Sequence, residues 1–398
     1  MSYAARGIQN EFRLNNVQIG WILSAFVIGY GACQIPIGLA VDRWGPRPVL
    51  AAALLGWSCL TLATAAVPFL ARITAASALG FFIAMRILTG AAQSCVLPSG
   101  TKMVSRWMPQ AQRAAGNSLF FMGIGLGGIL APPFTVALML RYGWQMPFWV
   151  LGVVGIAIAF WWRSYATSLP EQHPGVNAAE LALIRAGGET APAGVSSQWR
   201  WKTVLSNRSV VMLVLCYGLG GYPAYVFYTW FYLYIANVRH VDPAAGGYWW
   251  MLPYVAIVCL TPLGGRTSDL LCARFGKRIG RTGVGILGCF LATGLIVAGA
   301  RLADARLAMI LLGLAAGFHL FGQAPAWACT IDLAPSRPAT LFGLMNTTAQ
   351  AAGAVAPVLT PVLAQKLGWI HSLDFAALLV LLTGLLWFGI NPEKPVVT

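Results

Sequence analysis

One arginine stands where a charge is expensive. Arg86 lies in Phe81-Phe-Ile-Ala-Met-Arg86-Ile-Leu-Thr-Gly90, near the middle of an apolar run. A cation at that depth of a bilayer costs roughly 3 kcal/mol on insertion scales, so it must face a cavity or a partner. Two chemistries fit. Its guanidinium can grip a substrate carboxylate through two parallel N–H bonds, or it can pair with a polar neighbour for structural reasons. Seven residues on, two turns along the same helix face, stands Gln93. A glutamine donates and accepts hydrogen bonds but cannot take up a proton. No acidic residue falls mid-span; Asp332 comes nearest, close to the end of its helix. A carboxylate proton relay therefore has no obvious carrier.

The remaining candidates are polar groups in apolar surroundings. His319, in Gly317-Phe318-His319-Leu320-Phe321-Gly322-Gln323, is the one embedded side chain that titrates near neutral pH. A lone histidine there is either a coupling or substrate group or a hydrogen-bonded structural one; Gln323, a turn further, is a candidate contact beside it. Tyr217, Tyr222, Tyr225, Tyr228, Trp230, Tyr232 and Tyr234 crowd one segment. The last few suit an interfacial aromatic belt. Tyr222 and Tyr225 lie deeper and, three apart, share a face, where their hydroxyls can meet substrate hydroxyls. Asn117, Asn346 and Gln350 are embedded amides, fit either to hold helices together or to touch substrate.

These residues need elements that cross a membrane. Of 398 residues, 58% are hydrophobic and 9% charged. That leaves too little charge to cover a soluble surface, and the mean hydropathy is +0.70. About eleven runs approach the 20 apolar residues a span needs: 17–40, 49–70, 76–98, 114–140, 144–166, 209–236, 247–265, 283–300, 307–330, 339–364 and 369–390. The longest polar stretch, 167–206, separates a first bundle (1–166, five spans) from a second (207–398, six spans). It holds Glu171, Glu180 and Glu189, and Asn177 to Arg185 fits a short amphipathic helix. The class is all-α integral membrane protein. The net charge of +15 sits in short groups between spans. Most Lys and Arg fall on the side of the loop at 41–48; Arg6, Arg72 and Arg239 are among the fewer on the other. The positive-inside rule puts that loop, and the carboxyl terminus, in the cytoplasm. Nucleic-acid binding, which needs a clustered basic face, is not indicated. The eight cysteines include no CxxC pair, so no metal site or cofactor is expected. No embedded Ser/His/Asp set or phosphate loop suggests an enzyme.

A repeat organises the two bundles. Gly38-Leu-Ala-Val-Asp42-Arg43-Trp-Gly45-Pro-Arg47 follows the first span. Gly265-Arg-Thr-Ser-Asp269, then Arg274-Phe-Gly276-Lys-Arg278, follows the seventh. Both read Gly-x-x-x-Asp and then Arg-x-Gly-x-Arg. Two copies at matching places predict two similar halves facing each other. The glycine lets helices approach, and the aspartate can meet a helix N-terminus or an arginine.

The first motif resembles the loop signature of the major facilitator superfamily, and the second copy sits where that family repeats it. The resemblance covers nearly the whole chain. It implies two helical bundles around a central cavity, rocking against each other, with Gly38, Asp42, Arg43, Gly45, Arg47, Asp269, Arg274 and Arg278 as the cytoplasmic gate. Finer features resemble the anion:cation symporter branch, which includes bacterial galactonate, glucarate and hexuronate carriers. These are Ile8-Gln-Asn-Glu11-Phe with Gly20-Trp21, Trp107-Met-Pro109 with Arg113, Thr229-Trp230-Phe231, and Trp327 eight residues before Pro335.

The branch implies a small organic anion as substrate, with proton symport as its default coupling, carried by a monomer in a bacterial inner membrane. It places a functional arginine on the family's fourth helix, where Arg86 stands. It also has a glutamate where this chain has Gln93, which weakens proton coupling. The match begins where the family's first helix ends, so a late start or a shortened paralogue is expected. Uncoupled exchange and a non-transporting sensor remain the alternatives.

Overall fold

The computed structural model describes residues 4–69, 78–185, 199–237, 249 and 251–396. Arg72, Glu189 and Arg239 lie outside the described residues, as do the side chains of Arg6, Thr229, Trp230 and Tyr232. The described residues are helical, with no strand among them. In chain order the helices are α1 (Ala5–Phe12), α2 (Asn16–Trp44), α3 (Pro46–Ala65), α4 (Ala78–Gln93), α5 (Val96–Trp107), α6 (Arg113–Tyr142), α7 (Met146–Tyr165), α8 (Ala178–Arg185), α9 (Trp201–Ser206), α10 (Arg208–Asn237), α11 (Leu252–Arg301), α12 (Ala305–Phe321), α13 (Gln323–Leu333), α14 (Pro338–Leu367) and α15 (Trp369–Trp387).

Ten apolar helical stretches among the described residues are long enough to cross a bilayer. One of them, α11, has 50 residues. At 1.5 Å per residue that is about 75 Å, more than twice a ~30 Å hydrocarbon core. Gly276, at φ 84, breaks it into arms 252–275 and 277–301. Counting the arms separately recovers the eleven expected spans. The third and ninth are each broken in the middle: α4 passes to α5 at Ser94-Cys95, and α12 to α13 at Gly322. In the polar stretch α8 forms as expected, started by the Asn177 side chain accepting from Glu180 N–H at 2.8 Å. Arg185 closes back on Glu171 at 2.8 Å and holds that carboxyl below its ordinary range.

Helices α2 to α7 pack among themselves, as do α10 to α15. The two groups meet mainly along α2 against α14 and α6 against α11. Glycines set both crossings. A Cβ at Gly38 would lie 2.5 Å from the Ala339 carbonyl, and one at Gly343 2.5 Å from that of Gln34. On the matching crossing, a Cβ at Gly265 would lie 2.6 Å from the Ala114 carbonyl. The motif glycines Gly38 and Gly265 thus do the same work in the two halves.

The four positive-φ glycines among the described residues pair in the same way. Gly45 and Gly276 turn the loops carrying the motif, at φ 89 and 84. Gly143-Trp144 and Gly368-Trp369 turn two loops at the opposite end, at φ 88 and 89. Helix α1 lies against the first half at that opposite end. Its Ile8 packs with Phe82 and Trp144, and Glu11 accepts from Trp144 Nε1 at 2.6 Å.

Within the first half, α2 and α4 touch backbone to backbone: a Cβ at Gly90 would overlap the Phe26 carbonyl oxygen. Gly56, on α3, has nothing within 4 Å of a built Cβ. Gly90→Val is therefore expected to lower the thermal midpoint and the yield of monodisperse protein in detergent, at an overpacking cost of about 1–3 kcal/mol. Gly56→Val should change neither. Equal behaviour of the two variants would show that the α2–α4 contact is not tight.

Candidate functional site

Two buried charge clusters close the end of the molecule that carries the repeated motif. In the first, Asp42 at the end of α2 reaches the N-terminus of α14 in the other half. Its Oδ2 accepts from Thr340 N–H and from Thr340 Oγ1, each at 2.7 Å. Its Oδ1 lies 2.9 Å from Lys102 Nζ, with both side chains under 10% exposed (3% and 7%). Lys102 Nζ also donates across the halves to the Ser336 carbonyl at 3.2 Å. A helix N-terminus offers unpaired N–H groups and a partial positive charge, so a carboxylate is its natural partner.

The second cluster mirrors the first. Asp269 accepts from Ala114 and Ala115 N–H at 3.2 and 2.8 Å, at the N-terminus of α6. Arg281, fully buried, donates through Nη1 to Asp269 at 2.6 Å and through Nε to Asp332 at 3.3 Å. Lys277 Nζ lies 3.1 Å and Arg113 Nη1 3.8 Å from Asp332.

The motif arginines do not make these crossings. Arg43 is exposed and stacks over Trp44, and Arg274 over Phe275. Arg47 donates to the Arg163 carbonyl at 2.7 Å, inside its own half. Arg278 is exposed, and its N–H donates to Glu393 at 3.2 Å. Sequence reasoning missed Lys102, Arg281 and Thr340. Arg281 could have been found, because it lies just past the Gly276 turn, which folds its helix back toward Asp269.

Beneath these clusters sits an aromatic plug. Trp327, fully buried on α13, packs on Phe121 and Phe342 at ring-centroid distances of 4.3 and 4.8 Å, and donates to Tyr217 Oη at 2.9 Å. Phe121 belongs to one half and the other three rings to the second.

Next comes a polar layer shared by the halves. The Arg86 guanidinium carbon lies 4.5 Å over the Phe26 ring. Its Nε is buried without a hydrogen-bond partner, and no carboxylate pairs with it among the described residues. One turn along each helix, Gly90 lies against Tyr30 N. Tyr30 in turn lies against Gln34 and Asn346. A Cβ at Gly31 would touch the Gln350 Cβ at 3.7 Å, and Tyr225 Oη donates to Gln350 Oε1 at 2.6 Å. Gln34 and Asn346 are buried, with both polar atoms of Gln34 and Nδ2 of Asn346 making no well-aligned hydrogen bond. Gln93 lies two turns from Arg86 and is half-buried.

The structure therefore brings Arg86, Tyr225, Asn346 and Gln350 into one region, with Gln93 on the same helix. Phe26, Tyr30 and Gln34 join them and were not read from the sequence. Their signal is a spacing of four residues along one face of α2.

Tyr222, His319 and Gln323 are placed elsewhere, inside the second half. Tyr222 Oη is 2.9 Å from Thr360 Oγ1, and its ring meets Phe375 edge-on. His319 Nε2 is 2.9 Å from the Gly220 carbonyl. Pro223 lies inside α10 one turn beyond and has no N–H to give that helix's ladder. Gln323, a turn along from His319, flanks Gly220.

Asp42→Ala removes one member of a buried pair, a loss of about 3–5 kcal/mol from the closed arrangement. Cys95, fully buried between the polar layer and Lys102, is then expected to react with a maleimide at least tenfold faster. Cys216, buried inside the second half, should stay unlabelled, which separates opening from unfolding. Unchanged Cys95 reactivity would show that Asp42 does not hold this end shut.

Residues 1–357 match the family model described as Major Facilitator Superfamily. A relative from Cupriavidus necator described as probable sulfoacetate transporter SauU is 30% identical over 371 residues, covering 92% of this chain and 83% of that protein. A D-galactonate transporter of Escherichia coli is 28% identical over 400 residues, 97% of this chain and 89% of that protein. A rice protein described as probable anion transporter 4, chloroplastic, is 27% identical over 392 residues, and this chain spans 64% of its length. Among solved structures, the proton:xylose symporter XylE superposes with a TM-score of 0.77 at 13% identity, covering 99% of this chain and 93% of that one. At that identity the likeness concerns the fold.

Proposed function

The chain belongs to the major facilitator superfamily, and from that membership we propose that it carries a small organic anion, a sugar acid or related carboxylate, across a membrane by alternating access. Arg86 carries the proposal: an embedded guanidinium stacked on Phe26, with no carboxylate partner among the described residues. A substrate carboxylate supplies the missing partner. The relatives' described anions, sulfoacetate and galactonate, are in keeping with that demand.

In this mechanism Arg86 grips the carboxylate through parallel N–H bonds. Phe26 fixes the plane of the guanidinium. Tyr30, Tyr225, Gln350 and Asn346, with Gln93 nearby, meet the rest of the solute. Because these groups come from both halves, a bound solute ties the halves together. Rocking then breaks the Asp42–Thr340 and Asp269–Ala115 contacts and opens the other side of the site. His319, bonded to Gly220, and Tyr222, bonded to Thr360, hold α10 against its neighbours, so that Tyr225 stays aimed at Gln350.

The positive-inside bias assigns the latched end, and the carboxyl terminus, to the cytoplasm. The setting that fits is a bacterial inner membrane, with lipid around a monomer built as halves 1–166 and 207–398 joined by 167–206. Catalysis is no part of the proposal.

A second reading, exchange or downhill carriage without a coupled proton, is favoured by one observation. The buried acids Asp42, Asp269 and Asp332 are all engaged at the latched end, and Gln93 cannot titrate. Under that reading a pH gradient across proteoliposomes gives no accumulation while counterflow persists. Accumulation driven by the gradient would establish proton symport instead.

Uptake of radiolabelled D-galactonate into proteoliposomes tests the main proposal. Arg86→Ala is expected to lower kcat/KM by about thirtyfold or more, the loss that goes with truncating one partner of a buried charge pair (about 2–5 kcal/mol). Arg86→Lys keeps the charge but not the fork and should fall between. Wild-type uptake by Arg86→Ala would overturn the assignment. Binding without flux in the unaltered protein would identify a sensor.

A further inference from the structure

We propose that the site prefers a polyhydroxylated monocarboxylate over the dicarboxylate of the same length, with Gln34 and Asn346 reading the uncharged end. The inference rests on the organic-anion reading of Arg86 and goes beyond it to the number of charges on the solute.

The polar layer is charged at one end only. Arg86 stands level with Phe26. Gln34 lies eight residues further along α2, two turns, or about 12 Å. A six-carbon chain with bonds of about 1.5 Å, plus a hydrogen bond of about 3 Å at each end, covers a similar distance. The Arg86 end offers one guanidinium plane with its face taken by Phe26, which leaves an edge suited to one bidentate carboxylate.

The Gln34 end offers neutral amides and no charge. Gln34 is 0% exposed and Asn346 3%. Gln34 Oε1 and Nε2 and Asn346 Nδ2 make no well-aligned hydrogen bond, and the one polar group set against both side chains is the Tyr30 hydroxyl. Buried amides left unpaired are costly, and this pair offers both a donor and an acceptor, as a hydroxyl requires. Tyr30, lying against both, adds a hydroxyl to the same end.

Lys102, further toward the latched end, is already held by Asp42 at 2.9 Å and by the Ser336 carbonyl. A second carboxylate placed there would be buried away from water without its own counter-charge, which disfavours it. A terminal hydroxyl in the same place satisfies the amides.

Equilibrium binding to the purified, detergent-solubilised full chain tests this with four probes: D-galactonate, D-galactarate, D-galactarate monoamide and galactitol. The expected order puts D-galactonate and the monoamide together, D-galactarate at least tenfold weaker at pH 7, and galactitol without measurable affinity. Gln34→Lys, which adds a cation at the uncharged end, should raise the affinity ratio of D-galactarate to D-galactonate at least tenfold. If D-galactarate binds the unaltered protein as tightly as D-galactonate, the inference is overturned whether or not the variant folds, while the organic-anion reading stands. If no probe binds, or galactitol binds as well as D-galactonate, the organic-anion reading falls and the inference with it.

Discussion

A charge inside a bilayer has no water to hydrate it, and this constraint organises the whole molecule. The buried acids at the latched end are each met by cations, by helix N-termini, or by both. Asp42 has Lys102 and the first turn of α14; Asp269 has Arg281 and the first turn of α6. Asp332 has Arg281, Lys277 and Arg113. Arg86 differs, since only an aromatic face attends it among the described residues. The pairing rule therefore separates the paired charges of the latched end from Arg86, for which a substrate carboxylate is proposed.

The latches depend on the repeat. Gly38 and Gly265 let α14 and α6 approach closely enough for their N-terminal N–H groups to reach a carboxylate on the other half. Gly45 and Gly276 supply the left-handed turns that end the aspartate-bearing helices. Loss of either pair's geometry would strand a buried charge. Two near-equivalent latches on opposite sides of one interface suit an element with two discrete arrangements, because both would break in the proposed rocking motion.

The spans and the class were legible because a helix that crosses a membrane must be apolar for about 20 residues, whatever it packs against. The motif was legible because its glycine, aspartate and turn are close in sequence. Its partners were not. Thr340 lies 298 residues from Asp42, and nothing near Lys102 announces a distant carboxylate. Tyr30 and Gln34 were overlooked because two polar groups in a long apolar span read as ordinary interior. Only the Arg86–Phe26 stacking and the α2–α14 crossing show that their face points to the centre. His319 and Tyr222 looked available in the sequence, but their hydrogen bonds to Gly220 and Thr360 use them inside one half. The match of Gly143-Trp144 with Gly368-Trp369 was readable as a second repeat and gained meaning only once all four loops shared one turn geometry.

The central claim is that an anion completes the Arg86 guanidinium. The most direct measurement is the NMR signal of the arginine Nε–H groups in protein labelled with nitrogen-15 at arginine, followed as D-galactonate is added. One resonance, absent from the Arg86→Lys variant, is expected to move downfield with saturable dependence on the solute, while the Arg281 resonance stays in place. A saturating solute that leaves the Arg86 resonance unmoved would contradict it.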